Sequence, residues 1–198
     1  MTKQQQQNRR SILIIFGLTF IPFCIAWFLS NNPDLVRSGS SNGELVTPVI
    51  TTERAEFTGF DEFSKQNISE LAGHWLLVNI IPNKTCNLVC VDAMHKTKQL
   101  RLMLNKDLTR VRRIVLVFKD SDPQLAKTWW QEDTRLLHIK PTPSLITKLE
   151  TIRKGTVAEG MLFLIDPLGN IMMQYDPKFD PYAVKRDLKK LLRISQIG

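Results

Sequence analysis

The stretch that most constrains the fold runs from Trp75 to Val91 and reads WLLVNIIPNKTCNLVCV. Its first seven residues are apolar apart from one asparagine. An apolar run of this length without a helical continuation predicts a buried strand of a parallel sheet, and the Pro-Asn pair predicts a turn at its carboxyl end. Functional groups of open α/β sheets collect at that edge, so the residues after the turn are the first candidates for a site.

Two cysteines, Cys86 and Cys90, follow the turn with the spacing Cys-x-x-x-Cys. If Asn83 to Thr85 lead into a helix, Cys86 lies near its N-terminus, where unpaired N–H groups and the positive end of the helix dipole favour a thiolate. Lys84 places a cation nearby. Such surroundings make a cysteine a good nucleophile or a ligand for a soft metal.

An uncharged run from Ile12 to Leu29 follows an N-terminal segment whose only charges are basic. As a helix, about 18 residues span about 27 Å, which is close to the hydrocarbon thickness of a bilayer. We therefore predict a transmembrane anchor over residues 12–30. The basic flank predicts that residues 1–11 stay in the cytoplasm and that the rest of the chain is exported. A cleaved signal peptide is the alternative, but no small-x-small cleavage motif follows the run.

The segment at 31–42 is polar and rich in turn-forming residues, so it predicts a flexible tether. Residues 43–198 then form one exported domain of ordinary size. Apolar runs and amphipathic patterns in this part predict alternating strands and helices. The first predicted elements are an opening hairpin of Glu44–Ile50 and Ala55–Phe57, with Pro48 on an edge, and a helix over Asp61–Leu71. The strand of the cysteine stretch follows, with a helix that ends near Asn105, a strand over Arg113–Phe118 and a helix through Trp130. The last predicted elements are a strand over Leu136–Ile139, a helix over Leu145–Ile152, a hairpin of Met161–Ile165 with Ile171–Tyr175, and a basic terminal helix from Asp180. This order is that of a thioredoxin-like α/β domain.

The formal net charge of +8 is spread along the chain, with a local cluster at Arg110, Arg112 and Arg113. No nucleic-acid-binding module is recognisable, so the excess favours an anionic membrane surface or an acidic partner over nucleic acid. Solvated surface charge explains the same pattern. The sequence also lacks a Gly-rich phosphate loop, a His-Glu-x-x-His motif and a Gly-x-Ser-x-Gly motif, which leaves the cysteine pair as the centre of any chemistry.

The chain resembles the Sco/SenC family. The features that carry the resemblance are the single N-terminal anchor, the strand leading to Cys86 and Cys90, and the hairpin at Phe163–Gly169 with its Asp-Pro-Leu-Gly turn. The resemblance implies a thioredoxin-like domain held in a bacterial inner membrane and exposed to the periplasm. A mitochondrial inner-membrane protein would have a similar exported domain, but this N-terminus lacks a long Arg-rich, Ser-rich presequence. It further implies a role in assembling the copper centre of cytochrome c oxidase, with an oxidase subunit or another assembly factor as partner.

The chain departs from the family at two positions. Sco proteins carry a copper-binding histidine shortly before the Asp-Pro-x-Gly turn, and that position falls near Ala158 here. Val91 stands where family members have a proline after the second cysteine. The family's third copper ligand is therefore missing from its usual place.

Four other residues are candidates to replace that ligand. On a helix, His95 points away from the cysteines, and His74 opens the first strand far from the edge where they lie. His138 is the best geometric candidate, because it lies near the carboxyl end of a predicted strand. Met94, one turn beyond Cys90, offers a soft thioether, although core packing explains it equally well.

Three interpretations of the cysteine pair follow. As a thiol-disulfide oxidoreductase, Cys86 would attack and Cys90 would resolve, keeping the copper-site cysteines of an oxidase subunit reduced. As a copper carrier, the pair would supply two thiolates, and the third ligand would come from His138, a methionine, water or the partner protein. As a scaffold protein, the chain would hold a structural disulfide, which is common in oxidising compartments. We take the reductant as the first hypothesis.

Overall fold

The computed structural model describes residues 3–32, 41–130, 133–195 and 197. The chain divides into two compact units, Met1–Ser40 and Ser41–Gly198. In the first unit, helix α1 (Lys3–Asn31) contains Gln7–Asn31, which is long and apolar enough to cross a membrane. The helix begins well before the predicted anchor, and residues 33–40 of the predicted tether lie outside the described residues.

The second unit is built on one seven-stranded sheet with the order β1-β7-β6-β3-β4-β5-β2. Its strands are β1 (Glu44–Thr51), β2 (Phe57–Gly59), β3 (Trp75–Ile81), β4 (Val111–Val117), β5 (Leu136–Pro141), β6 (Leu162–Ile165) and β7 (Asn170–Tyr175). Its α-helices are α2 (Glu62–Gln66), α3 (Leu88–Leu102), α4 (Pro123–Trp129), α5 (Pro143–Arg153) and α6 (Pro181–Ile194), with 3-10 helices at Arg54–Glu56, Ile68–Leu71 and Asn105–Arg110. Strands β3, β4 and β5 are parallel, and the other pairings are antiparallel.

Strand β3 is central, and all seven of its residues are buried. Alternate side chains enter two cores, because successive residues of a strand point to opposite faces of the sheet. Leu76, Val78 and Ile80 pack on the face that helix α5 covers. Leu77 packs on the other face with side chains of α3 and α6. Helices on both faces explain why the strand is continuously apolar, and its position confirms the predicted buried strand.

The late hairpin and the terminal helix are confirmed within a residue or two. Asp166 organises the hairpin turn, since its Oδ1 accepts hydrogen bonds from the backbone N–H groups of Leu168 and Asn170. Asp180 caps α6 by accepting from the N–H groups of Tyr182 and Ala183. In the turn and in the helix cap, an aspartate side chain bonds the backbone that follows it. Because this pattern is local, the sequence predicts both features.

Two predictions for the start of the domain are wrong. The predicted opening hairpin does not form, because β1 pairs with β7 at one edge of the sheet and β2 pairs with β5 at the other. Proline at position 48 does lie on an edge strand, as predicted. The predicted helix over residues 61–71 is broken at Asn67, whose side-chain amide donates to the carbonyl of Phe63 and so closes the first piece.

The arginine cluster is bound to the protein rather than spread on a solvated surface. Arg113 is buried under α3 and forms an ion pair with Asp133 at 2.5 Å. Arg112 pairs with Glu70 at 2.6 Å. Arg110 donates to the backbone carbonyls of Leu192, in the last turn of α6, and of Ser195, just after it. Because a guanidinium has five donors in a fixed fork, it can join several elements at once, and these three side chains stabilise the fold.

Candidate functional site

Cys86 and Cys90 form a disulfide at the carboxyl end of β3, with an S–S distance of 2.02 Å and a Cα–Cα distance of 5.4 Å. The two cysteines differ in exposure. Cys90 is only 2% exposed, whereas Cys86 is half-buried. One sulfur is therefore on the accessible side of the bond and the other is inside the protein.

Helix α3 begins at Leu88, so Cys86 lies close to its N-terminus. Asn87 is its N-cap, and the side-chain oxygen of Asn87 accepts from the N–H groups of Val89 at 2.9 Å and Cys90 at 3.1 Å. Asparagine is a strong N-cap residue, so it stops the helix from extending back to residues 83–85. Cys86 thus precedes the helix and Cys90 lies in its first turn. Two of the N–H groups expected to face a thiolate are already bonded to Asn87.

A hydrophobic cluster seals the inner side of the disulfide. Cys90 packs there with the buried residues Ile81, Met94, Val115, Val117, Ala126, Trp129 and Leu136. Cys86, Phe60 and Trp130 lie partly buried at its margin. A sulfur enclosed in this way is shielded from external thiols, so a reaction partner would meet Cys86 first.

The loop before β6, residues 156–160, lies against residues 82–90, the segment after β3 that we call the cysteine loop. Gly160 has a φ of +79°, and a Cβ placed on it would lie 2.7 Å from Val89 Cγ1 and 3.0 Å from the Val89 carbonyl oxygen. Only glycine fits so close an approach at positive φ. Two residues earlier, Ala158 is exposed and ends in a methyl group. The loop is therefore beside the disulfide but has no ligand at the position where the Sco resemblance expects one.

A cleft of about 400 Å³ opens beside these two loops. It lies next to the turn that leads from β3 to the cysteines. Its lining includes Pro82, Asn83, Phe118, Lys119, Glu150 and Glu159. The lining combines apolar surface with charges of both signs.

His138 is buried in the middle of β5, with 5% of its surface exposed. The strand continues to Pro141, so the prediction that His138 lies near its carboxyl end is wrong. Nδ1 of His138 lies 2.5 Å from Oδ2 of Asp61, and the ring stacks on Trp130 with 3.9 Å between centroids. Nε2 is buried and has no hydrogen-bond partner within the described part of the chain.

The charge states of this pair follow from its surroundings. Burial lowers the pKa of His138 below its ordinary value, although Asp61 opposes the shift. Burial tends to raise the pKa of Asp61, but the hydrogen bonds from Ser64 and His138 outweigh it, and the net shift is downward. At neutral pH the pair is therefore a carboxylate and a neutral imidazole. Since Asp61 accepts from Nδ1–H, Nε2 is left as an acceptor.

The remaining candidate histidines lie apart from the sulfurs. His95 is exposed and bonds Gln99, and His74 bonds the carbonyl of Ala72. Among the described residues, no group of three or more His, Cys, Asp or Glu side chains is placed to hold a metal ion. The soft donors grouped here are the two cysteine sulfurs, which must first be reduced, and the thioether of Met94, which packs in the same cluster as Cys90. His138 as a third ligand stays a prediction.

The comparisons with known proteins agree with this geometry. A family model described as "Transmembrane-like, thioredoxin-like, C-terminal domain" matches residues 75–195, which include both cysteines and the loop that faces them. The chain belongs to this family. A search among curated proteins finds no match.

Solved Sco structures share this thioredoxin-like fold. Apo Sco1 from Thermus thermophilus is 15% identical over 78% of this chain and 99% of its own, with a TM-score of 0.55. BsSco is 15% identical over 79% of this chain and 98% of its own, with a TM-score of 0.51. It is described as having a disulfide switch and as a member of the Sco family of cytochrome c oxidase assembly proteins. Yeast Sco1 is 14% identical over 64% of this chain and 84% of its own, with a TM-score of 0.50. It has also been solved with copper bound. Identities this low establish the fold, and they confirm the predicted thioredoxin-like, Sco-like class.

Sequence reasoning missed two residues of the thioredoxin-like site. Asn87, between the cysteines, was not predicted to cap the helix, although an asparagine just before an apolar stretch is a signal for an N-cap. Asp61 was not connected with His138. No local signal indicates that contact, because the two residues are 77 positions apart.

Proposed function

We propose that this protein is a membrane-anchored, Sco-like assembly factor that reduces a disulfide between the copper-site cysteines of a respiratory cytochrome c oxidase. The observation that carries the proposal is the Cys86–Cys90 disulfide, with one accessible and one enclosed sulfur at the carboxyl edge of the central strand. The family membership supports it, as does the fold shared with BsSco, a protein described with a disulfide switch.

The reaction uses the two sulfurs in sequence. In the reduced protein, the Cys86 thiolate attacks a target disulfide, forms a mixed disulfide and releases one target thiolate. Cys90 then loses its proton and attacks the Cys86 sulfur, which releases the second target thiolate and forms the Cys86–Cys90 bond. Two electrons pass to the target, and the structure corresponds to the oxidised product.

The proposed location follows from the N-terminal helix. Gln7–Asn31 supports a single membrane anchor, and the basic residues before it support a cytoplasmic N-terminus. The thioredoxin-like domain is then in the periplasm of a bacterial inner membrane. In that oxidising compartment, copper-site cysteines would need a dedicated reductant before they could accept metal.

The test is to trap the intermediate. In full-length protein carrying Cys24→Ser, Cys90→Ser should accumulate a mixed disulfide through Cys86 with an oxidised copper-site subunit. Cys86→Ser should accumulate at least about tenfold less, since the enclosed Cys90 is shielded. Equal trapping by both variants, or trapping by neither, would contradict the assignment of Cys86 as the attacking sulfur.

The reduction potential separates a reductant from a scaffold protein. Equilibration of the full chain with glutathione buffers should give a potential in the range of exchangeable dithiols, above about −300 mV. A value below that range, together with no trapping, would support a structural disulfide and a scaffold role.

Copper carriage is the second candidate function, and the unpartnered Nε2 of His138 is the observation that favours it. We propose that reduced Cys86 and Cys90 bind Cu(I) in that case, with His138 as the third ligand after a rearrangement of the chain around it. Loss of Cu(I) affinity in His138→Gln, measured in competition with a chelator, would support this ligand set. Unchanged affinity would remove His138 from it.

A further inference from the structure

Helix α6 carries a basic surface that the cysteine pair does not use. The helix buries Val184, Leu188 and Leu192 against the sheet, so its opposite side faces solvent. Its one acidic residue, Asp187, is also buried. The outward side carries Lys185, Arg186, Lys189, Lys190 and Arg193 and has no acidic residue, and Tyr182 and Ile194 are exposed near its two ends.

The 3-10 helix Asn105–Arg110 lies next to this surface and extends it. Together they line a cleft of about 460 Å³, whose lining includes Lys106, Asp107, Arg110, Arg186, Lys189 and Arg193. Arg110 holds the end of α6 through the carbonyl of Leu192 and lies 3.7 Å from Asp107. Lys106, Lys189 and Arg193 are exposed. None of the residues that line the cleft is aromatic, so it lacks the anchors that are typical of protein interfaces.

The same helix holds the beginning of the domain. The Asp187 carboxylate accepts hydrogen bonds from the N–H groups of Asn42 at 2.7 Å and Gly43 at 3.0 Å, and from the hydroxyl of Tyr175 at 3.1 Å. Burial and the nearby Asp187 carboxylate raise the pKa of Tyr175 well above its ordinary value, so this hydroxyl remains a donor. The first residues of the domain therefore lie beside α6.

The connection to the apolar helix is short. Helix α1 ends at Asn31, and the second unit begins at Ser41. The nine residues between them can span about 35 Å when fully extended. If α1 is inserted in a bilayer, as the proposed function requires, the start of the domain stays within about that distance of the lipid surface, and Asp187 holds α6 against that start.

We propose that the outward side of α6, together with Lys106, docks the domain on an anionic lipid bilayer. Clustered Lys and Arg side chains are attracted to anionic headgroups, and the attraction acts within about 10 Å of the surface. The cleft adjoins the start of β4, whereas the cysteines follow the end of the parallel strand β3. Docking would therefore turn Cys86 and Cys90 away from the lipid by roughly the length of a strand, about 20 Å. A membrane-protein partner that projects from the bilayer would meet the disulfide at that height.

Lysine acetylation of the full-length protein in nanodiscs tests the proposal. We expect Lys106 and Lys189 to react roughly tenfold more slowly in discs that contain phosphatidylglycerol than in phosphatidylcholine discs, and high salt to remove the difference. Lys119 and Lys127, which are exposed elsewhere on the domain, should react equally in both. Mass spectrometry gives the rate at each position.

A charge-reversal pair provides the matched comparison. Lys189→Glu with Arg193→Glu should restore fast acetylation of Lys106 in anionic discs, whereas Lys119→Glu with Lys127→Glu should leave the protection in place. Equal rates in the two kinds of disc would overturn the proposal. It would also be overturned if inorganic phosphate or a soluble acidic protein protected Lys106 in phosphatidylcholine discs as well as the anionic lipid does. If the chain does not float with liposomes, α1 is not a membrane anchor and the docking proposal fails with it. The trapping assay would still test the redox chemistry separately.

Discussion

The cysteine loop and the loop that faces it share one contact but differ in chemistry. Cys86 and Cys90 keep the sulfur pair that the Sco resemblance implies, and Asn87 between them fixes the helix start. The loop at residues 156–160 keeps the close approach at Gly160 but presents only the methyl group of Ala158. The close contact between the two segments is therefore kept although the side chain that a copper site would need is missing. A dithiol reductant needs only the first segment.

The largest expected effect comes from breaking the contact itself. Gly160→Ala places a Cβ at positive φ against Val89, and the strain and overpacking together should lower the free energy of unfolding by about 3 kcal/mol. Urea unfolding of the full chain measures it. Gly73→Ala is the matched control, because Gly73 also has positive φ but nothing within 4 Å of its Cβ position, and it should cost only about 1 kcal/mol. Equal losses would mean that contact with Val89 is unimportant.

Adding a ligand to the loop at residues 156–160 tests whether that loop could complete a copper site with the two cysteines. Ala158→His should strengthen Cu(I) binding to the reduced chain roughly tenfold, since even partners outside the ligand shell contribute that much to metal affinity. A chelator competition measures it, with Ala158→Gln as a control of similar length. If both variants bind copper no better than the unaltered chain, the loop does not reach the sulfurs in the reduced protein.

Substitution of Asn87 tests whether its side chain fixes the start of α3 at the cysteine pair. Asn87→Ala removes the acceptor for two N–H groups and should lower the free energy of unfolding by about 1 kcal/mol. Asn87→Asp keeps the acceptor and should retain most of that stability. The same denaturant curves give both values. A large loss in the aspartate variant would show that the cap is not the cause.

The smallest effect concerns His138, which lies in β5 against Asp61 and Trp130 and apart from both segments. Because burial lowers its folded-state pKa, the unfolded chain binds more protons just below pH 6.5, and stability should fall as the pH drops from 7.5 through 6.5 toward the folded-state pKa. His138→Gln should flatten that dependence by less than the loss expected for Asn87→Ala. Unfolding curves at several pH values measure the slope. An identical slope in the variant would assign the pH dependence to other groups.

The sequence predicts those parts of the molecule whose signals are local. The buried strand at Trp75–Ile81 and the hairpin turn at Asp166–Gly169 are set by apolar runs and by side chains that bond the adjacent backbone. Strand partners are not local, so β1 and β2 were paired with each other when they lie at opposite edges of the sheet. The cysteines were found because their spacing is a local motif. The burial of His138 against Asp61 and Trp130 was not found, because it depends on three segments that meet only in the folded chain.

The bonds from Asp187 to Asn42 and Gly43 have a mechanical consequence. A force pulling on the chain ahead of Asn42 would reach α6 through that carboxylate before it could act on the ladder between β1 and β7. An edge strand pulled from its free end tends to peel one hydrogen bond at a time, whereas a clamp at its first residue spreads the load over a whole helix. The hydrogen bonds to Asp187 would then have to break before a force on the N-terminal side of the domain could separate β1 from β7.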